Sequence, residues 1–435
     1  MIPSKRTYLL LLLGSAIALS TSIIWNVQTS IVVTLLFDSI VFGLMFVDNL
    51  RAKPYRVHIT RTLPPRLSIG RDNPVVLSIT SKNCPVEIQI CDRPPTEFKL
   101  TQRVLSTSLP SNTTTELTYT VSPIKRGEFD YGDIQVRQLG SWGLSWDSFN
   151  IYCSQKVKVY PDLLGLKSLS IRLTLQSSGA LRKMRTLGMG TEFAELRDYG
   201  KGDDLRLIDW KATARRDRPL IRVLEPEQEQ TLIILLDRGR LMTAQVQGLK
   251  RFDWGMNATL SLALAGLNRG DRVGVGVFDR RMHLWIQPQR GQHQLSHLID
   301  RLTPIQPVLL ESDYMGAVTN VVQQQTRRAL VVLITDIVDS TASAELLTAM
   351  GRLAPRYLPF CVTLGDFLVA EIARTPTLDI TTTYTRAVAI DLLAQRQLAF
   401  AKLKQKGVLV LDAPCDRLSE QIVDRYLQLK ARNQL

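Results

Sequence analysis

The sequence predicts a protein of three parts: an N-terminal transmembrane helical hairpin, an all-β sandwich-like domain, and an α/β domain with a parallel sheet. Three patterns support this order. Two long apolar runs come first, short alternating runs follow, and apolar strands interleaved with helical segments fill the second half. We place the hairpin at residues 1–53, the sandwich at 54–162, a linker with a charged segment at 163–229, and the α/β domain at 230–435.

The two apolar runs, residues 8–24 and 31–47, are each close to the minimum length of a membrane span, and Asp38 interrupts the second. A cleaved signal peptide is the alternative, but the second run disfavours it. Basic residues flank the pair, and the positive-inside rule then predicts a multi-pass protein of the cell membrane with cytoplasmic soluble domains. The flanking residues are Lys5 and Arg6 before the pair, and Arg51, Lys53, Arg56, Arg61 and Arg66 after it.

The net charge of +14 favours an anionic partner or surface. The basic residues are spread along the chain beside acids, without a nucleic-acid-binding motif, so we expect a membrane surface and no nucleic acid. The five cysteines are scattered without a CxxC pair, which fits a reducing compartment.

The β-rich region is predicted from alternating runs such as residues 57–60, 115–121 and 156–160, which Pro, Gly and Asn separate. The α/β domain is predicted from apolar strands at 231–236 and 329–335, with helices such as 247–267 and 386–406 between strands. Strands this apolar are typical of a parallel sheet covered on both faces.

A dense charged segment, residues 188–237, leads into the α/β domain. Its charges alternate with aromatic and aliphatic residues, which predicts a compact, loop-rich segment whose charges pair over a buried aromatic floor. The pattern resembles the signature of domain-of-unknown-function family 58. The residues that carry the resemblance, which we take as the signature and interaction residues, are Glu192, Phe193, Arg197, Tyr199, Gly202, Asp203, Asp204, Arg206, Asp209, Trp210 and Arg215.

The resemblance implies a bacterial membrane protein with a von Willebrand factor A-like domain, working with a MoxR-type AAA+ ATPase. In such a domain Asp237 and Asp336 end neighbouring strands, where two carboxylates can share Mg²⁺. The family of such domains completes the shell with an Asp-x-Ser-x-Ser motif and a threonine, but Gly239 and Leu241 replace the serines and Ser312 best matches the threonine. We therefore expect a degenerate site of Asp237, Ser312 and Asp336, with no cofactor or at most weak Mg²⁺.

Together these patterns predict a non-enzymatic, membrane-anchored interaction protein that helps to assemble or mature other proteins, with no catalytic residues. The alternative is a metal-dependent hydrolase that uses Asp203, Asp204 and Asp209. Arginines interleaved with these acids favour ion pairs instead, and P-loop, GxSxG and HExxH motifs are missing from the sequence.

Overall fold

The computed structural model describes residues 1–24, 27–82, 84–184, 192–200, 203–225, 230–337, 343–365, 367–375 and 380–432. The chain divides into two compact units, Met1–Tyr160 and Pro161–Leu435. The finer division into four segments stays a prediction.

Two apolar helices open the first unit: α1, Lys5–Ile24, and α2, Val27–Ala52. Both are long and apolar enough to cross a membrane, judged by length and composition. Their leucine, isoleucine and phenylalanine side chains are largely exposed, which would be unfavourable in water. The two helices therefore support association of the chain with a membrane.

The seam between α1 and α2 includes small and hydroxyl-bearing residues. The Ser30 hydroxyl donates a 2.7 Å hydrogen bond to the carbonyl of Ala18. A Cβ atom added at Gly14 would lie 2.8 Å from the Phe37 ring, so a larger residue would require the ring to move. Such residues let helices approach closely in lipid, where the hydrophobic effect does not drive association.

The rest of the first unit is strand-rich, as the alternating runs predict. Its described residues form a five-stranded sheet in the order β1-β11-β10-β5-β7, a four-stranded sheet β2-β4-β8-β6, and a three-stranded sheet β3-β12-β9. The strands are β1 Ile2–Pro3, β2 His58–Thr62, β3 Leu67–Ser68, β4 Asn73–Thr80, β5 Val86–Asp92, β6 Phe98–Leu100, β7 Leu105–Leu109, β8 Thr114–Pro123, β9 Gly127–Tyr131, β10 Ile134–Leu139, β11 Ser145–Ile151 and β12 Gln155–Tyr160.

The five-stranded sheet is attached directly to the apolar helices. Strand β1 precedes α1 and pairs with β11. Asp48, near the end of α2, accepts hydrogen bonds from the backbone N–H groups of Trp142, Leu144 and Ser145 at 2.9, 3.0 and 3.2 Å. The start of α1 and the end of α2 therefore meet the same edge of one sheet.

The second unit is an α/β structure around a six-stranded sheet in the order β19-β18-β15-β20-β21-β22. Its elements are α3 Leu163–Met184, β13 Glu192–Asp198, α4 Trp210–Arg216, β14 Leu220–Glu225, β15 Thr231–Asp237, β16 Gln245–Val246, β17 Leu249–Lys250, α5 Arg251–Asn268, β18 Arg272–Phe278, β19 Met282–Gln289, α6 Gln292–Leu302, α7 Tyr314–Gln324, β20 Leu330–Thr335, α8 Ala344–Leu353, β21 Leu358–Gly365, α9 Phe367–Arg374, α10 Ile380–Gln405, β22 Leu409–Pro414 and α11 Leu418–Ala431.

The sheet is mostly parallel, as the sequence predicts, but one edge strand is antiparallel. Strand β19 runs antiparallel to β18, while the other neighbouring strands are parallel. The short connection between β18 and β19 explains this, because a tight turn can join only antiparallel strands. Strands β15 and β20 are buried almost throughout, as their unbroken apolar sequences predict.

Two helical boundaries differ from the prediction. The linker predicted to begin at residue 163 starts instead with helix α3, Leu163–Met184. Helix α10 begins at Ile380 rather than at Arg386. Thr381, Thr382 and Thr383 follow its first residue, and threonine has a low helix propensity that hides the start of the helix.

Candidate functional site

Asp237 is the centre of the candidate site at the carboxyl edge of the six-stranded sheet. It is the last residue of β15 and is 1% exposed. One carboxylate oxygen accepts from the Ser312 hydroxyl at 2.5 Å and from the Gly239 N–H at 2.7 Å. The other accepts from Thr335 at 2.7 Å and from Tyr314 at 3.0 Å. Burial raises the pKa of Asp237, although these neutral donors act in the opposite direction.

Asp336 follows β20 and is bound on both oxygens by arginines. The Arg251 guanidinium donates to one oxygen at 2.5 Å, and Arg396 donates to the other at 2.7 Å. Arg396 also donates to Asp412 at 2.8 Å and to the carbonyl of Leu364 at 3.0 Å. These contacts tie α5 and α10 to the carboxyl ends of β20, β21 and β22.

The residues around Asp237 do not fit the Mg²⁺ shell that the family of such domains builds. A Cβ atom at Gly239 would lie 2.0 Å from the Ser312 hydroxyl oxygen, so a serine there is sterically excluded while Ser312 keeps its place. A cation at Asp336 would have to displace a guanidinium. Asp313, the acid next to Ser312, caps α7 by accepting a 2.6 Å hydrogen bond from the Gly316 N–H. Within the described residues, no three His, Cys, Asp or Glu side chains form a metal-binding group.

The charged segment forms a two-stranded hairpin rather than a loop-rich segment. Strand β13 pairs antiparallel with β14. The chain between them carries the short 3₁₀ helix Leu205–Leu207 and helix α4. This hairpin is a separate sheet from the six-stranded one.

Three acids of the hairpin, Asp203, Asp204 and Asp209, have separate partners. Asp203 accepts from the Gly200 N–H at 2.8 Å and pairs with Arg197 at 2.7 Å, and both contacts lower the pKa of Asp203. Asp204 caps the 3₁₀ helix through the N–H of Arg206 at 2.9 Å.

Asp209 caps the next helix, α4. One of its carboxylate oxygens accepts from the N–H groups of Lys211 and Ala212 at 3.1 and 3.0 Å. Its other oxygen accepts from Arg222 at 2.8 Å, and this hydrogen bond is the main cause of the lowered pKa of Asp209. The three acids that the hydrolase alternative requires therefore act as caps and ion-pair partners.

Trp210 corrects the prediction of a buried aromatic floor. It is the first residue of α4 and is 71% exposed, and Leu205 is 65% exposed. Four of the seven residues in α4 are polar or charged, so the helix has too little apolar surface to cover the indole. The charges of the segment pair at the surface, and the indole is free to contact another molecule.

The other predicted signature residues lie along the same hairpin. Glu192, Phe193 and Arg197 are on β13, Arg206 is in the 3₁₀ helix, and Arg215 is in the last turn of α4. The N–H of Tyr199 donates to the carbonyl of Pro219 at 3.0 Å, which closes the hairpin. Gly202 lies outside the described residues.

The structure adds residues to the sheet-edge site that sequence reasoning missed: Tyr314, Thr335, Arg251 and Arg396. Thr335 could have been found, because it precedes Asp336 and the parallel register places it beside Asp237. The sequence near Asp336 does not indicate that Arg251 and Arg396 bind it, since they stand 85 and 60 residues away along the chain.

Part of the chain matches a known protein family. The fold and the candidate site define a chain with two apolar N-terminal helices and an α/β unit that carries a charged hairpin. Residues 195–366 match the family described as "Protein of unknown function DUF58". This match confirms the resemblance found in the signature residues, and it covers less than half of the chain.

Curated relatives match over part of the chain. Uncharacterized protein Rv1480 of Mycobacterium tuberculosis is 26% identical over 151 residues, which cover 34% of this chain and 48% of that protein. Uncharacterized protein YeaD of Bacillus subtilis is 22% identical over 187 residues, which cover 43% of this chain and 44% of that protein. The chain thus spans about half the length of the curated relatives it matches.

Two solved structures are similar to the chain at low scores. An aerotolerance-related membrane protein from Bacteroides fragilis has a TM-score of 0.30 and 16% identity, covering 47% of this chain and 97% of that one. The conserved hypothetical protein BatB from Bacteroides thetaiotaomicron has a TM-score of 0.33 and 14% identity, covering 47% and 99%. Scores this far below 0.5 do not establish a common fold.

Proposed function

We propose that this protein is a membrane-anchored interaction protein that binds another protein through the charged hairpin. The observation that carries the proposal is the exposed indole of Trp210 on a hairpin that ion pairs and caps hold in shape. Tryptophan and arginine are enriched among the residues that dominate binding energy at protein interfaces. A preorganised surface also loses less entropy when it binds.

The partner we propose is a MoxR-type AAA+ ATPase, and assembly or maturation of other proteins is the process that the pair would serve. This choice rests on the family resemblance. The charge of the hairpin suits an acidic partner surface. Residues 204–218 contain Arg206, Lys211, Arg215, Arg216 and Arg218, while two of their three acids, Asp204 and Asp209, are engaged as caps.

We further propose that the second unit is a von Willebrand factor A-like domain that works without a metal, and that the strands of the first unit form a sandwich-like domain. The sheet order supports the first assignment, because Asp237 ends β15 and Asp336 follows the neighbouring strand β20. The arginines on Asp336 support a site that needs no cation, because each guanidinium supplies positive charge from within the chain.

We also propose that α1 and α2 cross the membrane as a hairpin and leave the soluble parts in the cytoplasm. The basic flanks support this orientation. The pairing of β1 with β11, together with the contacts of Asp48, supports a hairpin because both helix ends meet one sheet.

Trp210→Ala tests the proposal in the purified full-length protein. Loss of a central interface tryptophan should weaken binding to a purified MoxR-type ATPase from the same organism by about thirtyfold or more. The melting temperature should stay unchanged, because an indole exposed to this extent adds little to folding.

The matched control is Tyr152→Ala, which removes an exposed aromatic side chain from the first unit. It should bind the ATPase like the wild type. Equal losses in both variants, or a fall in melting temperature together with binding in Trp210→Ala, would contradict the proposal.

A further inference from the structure

Asp38 is an acidic residue near the middle of an apolar helix. It stands close to the centre of the apolar run at residues 31–47, and α2 continues for two turns or more on either side. Residues 8–50 contain no Lys, Arg or His. The two apolar helices therefore offer Asp38 no cation.

The Asp38 side chain lies at the seam between α1 and α2 and is half-buried there. A Cβ atom at Gly14 would lie 3.4 Å from its carboxylate oxygen. The other polar side chains of this seam are satisfied: Ser30 donates to Ala18, and Thr34 donates to the carbonyl of Ser30 at 2.8 Å. Among the described residues, none donates a hydrogen bond to the Asp38 carboxylate.

Asp48 is the other acid of α2, and its carboxylate accepts hydrogen bonds from three backbone N–H groups. The Asp38 carboxylate differs from that of Asp48 because its neighbours are apolar and one side of the helix around it is exposed. Leu35 and Phe42, which precede and follow it by about one turn on the same side of the helix, are both exposed. A further helix could pack against this strip and reach the carboxylate.

A carboxylate at this depth is costly in lipid, and such groups face a protein partner or a polar cavity. We propose that Asp38 is the contact point for a transmembrane helix of another protein that carries a basic side chain at mid-membrane depth. Charge complementarity favours such a basic partner over a second copy of this chain, because a second copy would bring a second carboxylate rather than a cation. The inference rests on the membrane hairpin of the proposed function.

The test uses the labelled full-length protein in phosphatidylcholine vesicles, with two synthetic transmembrane peptides. Both peptides are poly-leucine helices, and one of them carries a single lysine at its centre. Energy transfer should show about tenfold tighter association with the lysine peptide. Asp38→Asn should abolish this preference, and Asp38→Glu should keep it.

Thr34→Val is the matched control, because it removes a seam hydroxyl one turn away that already has an acceptor. It should keep the lysine preference. Equal association of both peptides, or a preference that survives Asp38→Asn, would overturn the inference.

Two further outcomes would also overturn it. The first is energy transfer between copies of the chain that requires Asp38 while the peptides do not differ, which would identify a second copy as the partner. The second is removal of the wild-type protein from the vesicles by an alkaline wash, which would refute the membrane hairpin as well.

Discussion

Gly239→Ala probes the closed geometry of the sheet-edge site. The backbone of Gly239 has φ −72° and ψ −170°, which any residue can adopt. In open space the substitution would stabilise the fold by about 0.4–1 kcal/mol, through the lower entropy of the unfolded chain. Here the new Cβ would lie 2.0 Å from the Ser312 hydroxyl oxygen and 2.9 Å from the carbonyl oxygen of Leu310.

Overpacking of this kind costs about 1–3 kcal/mol. A loss of 1 kcal/mol lowers the melting temperature of a large domain by about 2–4 °C. Gly239→Ala should therefore lower the melting temperature of the full-length protein in detergent by about 2–12 °C. Scanning fluorimetry is sufficient to detect this change.

A double-mutant cycle with Ser312→Ala isolates the cause. Ser312→Ala alone removes one donor from the buried Asp237 carboxylate and should cost about 1–3 kcal/mol. In that background the hydroxyl is gone, so Gly239→Ala should cost at least about 1 kcal/mol less than in the wild type. An equal cost in both backgrounds, or a stabilised single variant, would refute the claim that Ser312 fills this position.

Three further predictions concern pH, metal and topology. Because burial raises the pKa of Asp237 above its usual 3.8, the folded state binds this proton more tightly than the unfolded state does. The stability of the wild type relative to Asp237→Asn should therefore fall as pH rises above about 4, and a constant difference in melting temperature would contradict this. Millimolar Mg²⁺ should change the melting temperature little compared with excess EDTA, whereas a large stabilisation that Asp237→Ala and Asp336→Ala both remove would show a working metal site. A membrane-impermeant thiol reagent added to whole cells should fail to label Tyr152→Cys at this exposed site, and labelling would place the first unit outside.

Much of the architecture could be predicted from the hydrophobic periodicity of the sequence. The apolar helices, the strand-rich region and the buried strands β15 and β20 all have patterns that a single sequence reveals. The antiparallel direction of β19 was missed because its residues resemble those of any half-buried strand, and only the turn before it sets the direction.

The sites were harder to predict, since side-chain contacts depend on residues far apart in the chain. The sequence indicated that Gly239 and Leu241 break the metal motif, but not that Arg251 and Arg396 bind Asp336. Trp210 illustrates the opposite error. The sequence predicts a buried aromatic residue among these charges because aromatic residues usually pack inside, whereas α4 is too short and too polar to cover Trp210.

The most direct test of the interaction account is hydrogen–deuterium exchange on the full-length protein, with and without the purified MoxR-type ATPase. Backbone amides are protected where a partner excludes water or suppresses local opening. The account predicts that protection concentrates in residues 203–218, around Trp210, and that Trp210→Ala removes it. Unchanged exchange in this hairpin, with protection confined to the loops at the carboxyl edge of the six-stranded sheet, would contradict the account.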